Sequence, residues 1–181
     1  MKNSCRTARM IGAAATLLLL YGTSAWGQAL SDEARALANR WLVNGCDLQS
    51  SLRSDIRGAA SPALETFFVD AAHNGPDSSQ MAEIEKAAAQ HYELRQQGLK
   101  RPEGLGLSAQ DIEDARKVTR EDFIAQEKKD FDLRFRSQAV AGLGITGGAK
   151  AKTELQQISK DEKSPLRSSA QQALAGLQQR K

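Results

Sequence analysis

His73 and His91 are the two histidines of the sequence, and a metal ligand or a general base would be sought there first. Asp70 lies three residues before His73 and Asp77 four after it, but local spacing does not bring three convergent ligands together. His73 therefore reads as a helix-end histidine beside a turn, and His91, next to Tyr92 on an amphipathic stretch, as a partly exposed surface residue. Gly142-Leu143-Gly144-Ile145-Thr146-Gly147 spells G-x-G-x-x-G, yet a dinucleotide loop must follow a strand and open a helix, and here the glycines close a helical pattern and read as a turn. Lys150 is wrongly spaced for a P-loop. No G-x-S-x-G or H-E-x-x-H occurs, and no cysteine stands at motif spacing from a histidine or acid. Residues 111–130 carry seven acids against five bases, an alternation that marks a solvated helix face with i, i+4 pairs. The residues thus predict no catalytic group, no cofactor-binding residue and no metal ligand, and the chain is expected not to be an enzyme.

The start of the chain carries an address. Lys2, Arg6 and Arg9 form a positive region, Met10 to Tyr21 an apolar one, and Gly27-Gln28-Ala29 offers small residues at a cleavage site, with Ala25 as an alternative. Residues 1–29 are expected to be a cleaved secretory signal, and the mature chain to be periplasmic or secreted. The apolar run is shorter than the roughly 20 residues of a spanning helix, and no later segment reaches that length, so no membrane insertion of the mature chain is expected. Cys5 precedes the apolar run and is not placed for lipidation, which leaves Cys46 alone after cleavage and the fold without an internal disulfide. Cys46 reads as a small buried residue near a helix end, with an intermolecular disulfide or a reactive thiol as the other uses.

Charge narrows the partners. The whole chain has 25 Lys+Arg and 22 Asp+Glu, and losing the three cations of residues 1–29, which hold no acid, leaves a mature net charge of zero. A neutral chain has no global field to draw in nucleic acid, so none is expected as a partner, and its neutrality does little to oppose homo-oligomer formation. Residues 146–181 hold seven cations and three acids, a local excess of four that could meet an acidic partner surface or could solvate a terminal capping helix.

Helical periodicity dominates what remains, with no convincing strand alternation, and the fold class is all-α. Ser31 caps a stretch with Ala34, Leu37, Ala38, Trp41 and Leu42 on one face, ended by Asn44-Gly45; Asp47 to Arg57 is a weaker helix stopped by Gly58. Ser61-Pro62 opens a helix bearing the core candidates Phe67 and Phe68 and closed by Asn74-Gly75-Pro76. Asp77 or Ser78 starts another, with Met81, Ile84, Ala88, Tyr92 and Arg95, ending at Gly98. The regions expected are thus 30–98, a Pro/Gly linker at 99–107, and 108–181. Ser108 with Asp111, and Thr119 with Asp122, signal helix starts, so Gln110 to Phe135 is one long helix or two with a break near Thr119.

Residues 129–144 lie over residues 160–175 with six of 16 positions identical, where average composition gives roughly one. Between the copies Ala151, Leu155 and Ile158 mark a short second helix, and Ser164-Pro165 is placed to cap the next first helix. Asp130, Phe135, Arg136, Ala139, Gly142 and Leu143, and again Asp161, Leu166, Arg167, Ala170, Ala173 and Leu174, resemble the HEAT-like repeats of the phycobilisome-lyase type. The resemblance spans about 50 residues (roughly 129–178) and implies antiparallel helical pairs stacked as a short solenoid, with the preceding helices capping it, and commonly a role in binding other proteins. Asp130 and Asp161 are expected to bond Arg136 and Arg167 in a ladder between units. The function expected is an exported protein-binding module or adaptor without catalysis. The alternative is a small periplasmic ligand-binding protein or enzyme with a site between the N-terminal helices and the repeats, around His73, His91 or Cys46.

Overall fold

The computed structural model describes residues 29–43, 49–101, 106 and 108–179. The expected signal, Cys5, Asn44-Gly45, Cys46 and most of the 99–107 linker lie outside the described residues. Within them the chain is all-helical, with eight helices: α1 (Asp32–Val43), α2 (Gln49–Gly58), α3 (Pro62–Asn74), α4 (Ser78–Leu99), α5 (Ala109–Lys117), α6 (Arg120–Thr146), α7 (Ala149–Lys160) and α8 (Arg167–Gln178). No helix among them is long and apolar enough to cross a membrane.

Local chemistry sets most of the helix starts. Ser61 Oγ accepts from the Leu64 amide with Pro62 following, Asp77 and Ser108 each close a capping box, and Thr119 Oγ1 accepts from the Asp122 amide. The break near Thr119 is therefore real, and Val118 between the caps is extended. Asp77 and Asp111 are held below the ordinary carboxylate range, Asp77 chiefly by the Gln80 amide and Asp111 chiefly by the Ser108 hydroxyl. A carboxyl with a depressed folded pKa stabilises the fold above its unfolded value, about pH 4, and that contribution disappears as pH falls through the folded value. Asp77→Asn is accordingly expected to melt below the wild type at pH 6, with the difference shrinking as acid below about pH 4 protonates the carboxyl; a gap unchanged on acidification would contradict the capping role.

α6 is the axis. Its first half pairs with α4 through Lys128 Nζ to Glu85 Oε2 at 2.7 Å and through Tyr92 against Phe123, ring centroids 5.8 Å apart. The amino group of Lys128 holds Glu85 below the ordinary carboxylate range. The second half of α6 is surrounded by α1, α2, α3, α7 and α8. One apolar cluster contains Trp41, Leu52, Phe68, Phe135, Val140, Leu155 and Ala170 together, so helices from both sides of the 99–107 segment share a core. Phe68 is fully buried, and Phe67 packs against that core from its edge. Trp41 Nε1 donates to the Gln138 carbonyl at 2.7 Å, tying α1 to α6.

Three expectations change. Gly142 and Gly144 are not turn residues: they are buried inside α6, which runs on to Thr146, and the turn is made by Gly147 at φ 69° with Gly148. Helix α6 keeps them because partners press close; a Cβ on Gly142 would stand 2.8 Å from the Phe68 ring, and one on Gly144 2.7 Å from Ala173 Cβ. Ser164 does not cap α8 at its boundary: its hydroxyl accepts from the Leu166 amide, closing a turn before the helix begins at Arg167. The Asp–Arg ladder is not formed either. Asp130 accepts from Gln126, Asp161 from the Lys163 amide, and Arg136 Nε binds both oxygens of Asp132 at 2.9 Å because one helical turn places those two side chains together.

Candidate functional site

Two grooves flank the second half of α6 on different faces. Asp132, Leu133 and Arg136 border one, and Arg134, Ser137 and Ala141 border the other, as a period of 3.6 residues requires.

The first groove, about 500 Å³, lies where the end of α3 meets α6, α7 and the loop before α8. His73 reaches it because α3 stops at Gly75, whose φ of 72° suits glycine and whose amide closes the helix on Ala71 O. Two carbonyls of that helix end, Ala72 and His73, accept from Arg136 Nη1, so Arg136 both satisfies α3 and pairs with Asp132. His73 Nε2 meets Glu154 Oε1 at 2.7 Å; the imidazole is 58% exposed and the carboxylate 12%, so the ring is the reachable member. Such a pair fixes the ring's orientation, which is half of what a general base needs. The ring's hydrogen-bond partner is Glu154, and the Ser164 hydroxyl in the same groove accepts from the Leu166 amide.

Behind this groove the start of α7 is organised by a residue the periodicity did not single out. Glu65 is a buried acid, 7% exposed, and its Oε2 accepts from the Ala151 amide at 3.2 Å. Gly148 precedes α7 and has no side chain to cap it, and a Cβ there would land on Glu65 Oε1. The carboxylate of α3 thus occupies the position of a missing cap and faces the positive end of α7's dipole. Lys150 Nζ adds a bond to Thr66 Oγ1 at 3.0 Å. The Gly148 that follows the α6 turn was the available signal, since a helix start without its own cap calls for one from elsewhere.

The second groove, about 320 Å³, runs between α2, α6 and α8 with Trp41 at its base. Arg53 and Arg134 line it, and no acidic residue does. Arg134 lies 5.5 Å from the Phe131 ring. Of the other residues weighed from sequence, His91 is exposed on α4 away from both grooves, and Cys46 lies outside the described residues. Among the described residues no three His, Cys, Asp or Glu side chains gather as a metal site. The two grooves present cations, hydroxyls and amides to solvent. No known protein family, curated protein or solved structure matches the chain.

Proposed function

We propose that the chain is an exported protein-binding module whose C-terminal helices stack in the manner of HEAT-like repeats, without catalysis. The observation that carries this reading is the seating of α8, which packs to a similar extent on α6 and on α7. A first helix of a second unit laid across both helices of the unit before it is what repeat stacking requires. The repeat of residues 129–144 in residues 160–175 supports it from sequence, as does the use of small residues where α6 and α8 touch. The signal pattern of residues 1–29 supports export, to the periplasm or beyond.

The test is photo-cross-linking in the native envelope from two exposed positions, Leu133 and Gln172, beside the two grooves, with Glu113 on α5 as a control. A stoichiometric protein adduct from at least one groove position, none from Glu113, and a mature chain lacking residues 1–29 is the expected result. A chain recovered intact from the cytosol, or adducts from none of the positions, overturns the reading. A second reading, a small-ligand protein or enzyme, has the His73–Glu154 pair on the larger groove behind it. Partner capture undiminished by His73→Ala argues against it.

A further inference from the structure

We propose that the groove between α2, α6 and α8 docks an acidic, extended segment of the partner protein, with its carboxylates held by Arg53 and Arg134. The inference rests on the protein-binding reading and names the partner's chemistry. Lys117, Arg120, Lys128 and Arg136 each stand within 4.0 Å of a carboxylate, while most of the other described cations do not. Arg53 and Arg134 are exposed and have no ion-pair partner among the described residues, and the groove between them has no acid in its lining. Two guanidinium groups left without an anion beside one trough complement negative charge brought from outside.

The shape fits a strand of chain. Gly144 and Ala173 bring α6 and α8 close together, and these small residues line that side of the groove beside Trp41. On the sides Ser137, Ser169 and Gln172 offer hydroxyl and amide donors and acceptors to a passing backbone. A volume of about 320 Å³ holds a few side chains and not a folded element. Arginine suits the task, since its planar fork grips a carboxylate through two parallel bonds.

Fluorescence anisotropy of the purified protein with a labelled oligo-glutamate peptide, against oligo-glutamine and polyphosphate, tests this. Oligo-glutamate is expected to bind with an affinity that falls as salt rises, oligo-glutamine not to bind, and Arg53→Gln with Arg134→Gln to weaken binding about tenfold. Neither arginine has an ion-pair partner, so the double variant is expected to melt like the wild type, and Lys152→Gln to bind unchanged. Equal binding of oligo-glutamine, tighter binding of polyphosphate, or oligo-glutamate affinity untouched by the double variant overturns the inference. So does sedimentation showing that the two arginines hold a second copy. If the groove fails in these ways while Leu133 still captures a protein in the envelope, the inference falls and the protein-binding reading stands; if capture also vanishes, both fall.

Discussion

Replacing Glu65 by Ala is expected to lower unfolding stability by about 2 kcal/mol, because a buried carboxylate bonded to a helix-start amide is lost together with its packing. Glu65 Oε2 is the acceptor of the Ala151 amide, and Gly148 supplies no alternative. The defect is repairable from the other side. Gly148 has an extended backbone with φ −73°, which any residue adopts, so an aspartate there can cap α7 from its own position once Glu65 is gone. Ala151 is the third residue of α7, the amide that an N-cap side chain reaches, so Glu65→Ala with Gly148→Asp should recover at least half of the loss. Gly148→Asp in the wild type should be harmful, since its Cβ falls on Glu65 Oε1 and two carboxylates would meet. A urea-unfolding double-mutant cycle reads the coupling directly. Additive effects, or a Glu65→Ala loss under about 0.5 kcal/mol, would show that the contact contributes little.

Phe68→Ala is expected to cost about 3–5 kcal/mol, a large part of the 5–15 kcal/mol that holds an ordinary domain together. Phe68 is fully buried and its ring lies on the backbone of α6 at Gly142. The matching substitution, Gly142→Ala, sets two effects against each other. Alanine favours the helix interior by about 1 kcal/mol, but its methyl would stand 2.8 to 2.9 Å from three ring atoms, and overpacking costs about 1–3 kcal/mol. The clash is expected to win with Phe68 present and the propensity to win with Phe68→Leu, so the double variant Phe68→Leu, Gly142→Ala should be more stable than the two single effects added. Thermal melts of the four proteins decide it; a stabilised Gly142→Ala single variant would mean that the ring moves aside freely.

These two sites show where the sequence was legible. Ser61, Asp77, Ser108 and Thr119 were readable as helix starts because a cap involves only residues three apart. The apolar faces with Trp41, Phe68 and Ala88 were readable because burial follows helical period. Gly142 and Gly144 were misassigned for a physical reason: alone, glycine weakens a helix by about 1 kcal/mol, and only the Phe68 ring and Ala173 on other helices make it the residue that fits. Glu65 was passed over because an acid on a helix is ordinarily solvated, and the amide that keeps it inside is 86 positions away. Arg136 was expected to pair with Asp130 between units, but it closes the end of α3 and takes the nearer Asp132, a choice only the tertiary arrangement determines. Arg53 and Arg134 come to one groove only through the packing of α2 against α6, which no spacing rule reports.

The central place of α6 also sets the order of events as the chain is made. Trp41 waits for the Gln138 carbonyl, 97 positions downstream, and Phe68 for Gly142. Closing so long a loop precedes any return from the contacts it permits. Helices α1 to α3 therefore have mainly one another to rest on until α6 is made, and the shared core is expected to close only when the last third of the chain has been synthesised. A chain built this way is expected to stay open until α6 is complete, which is the state that the proposed export through a narrow channel would need.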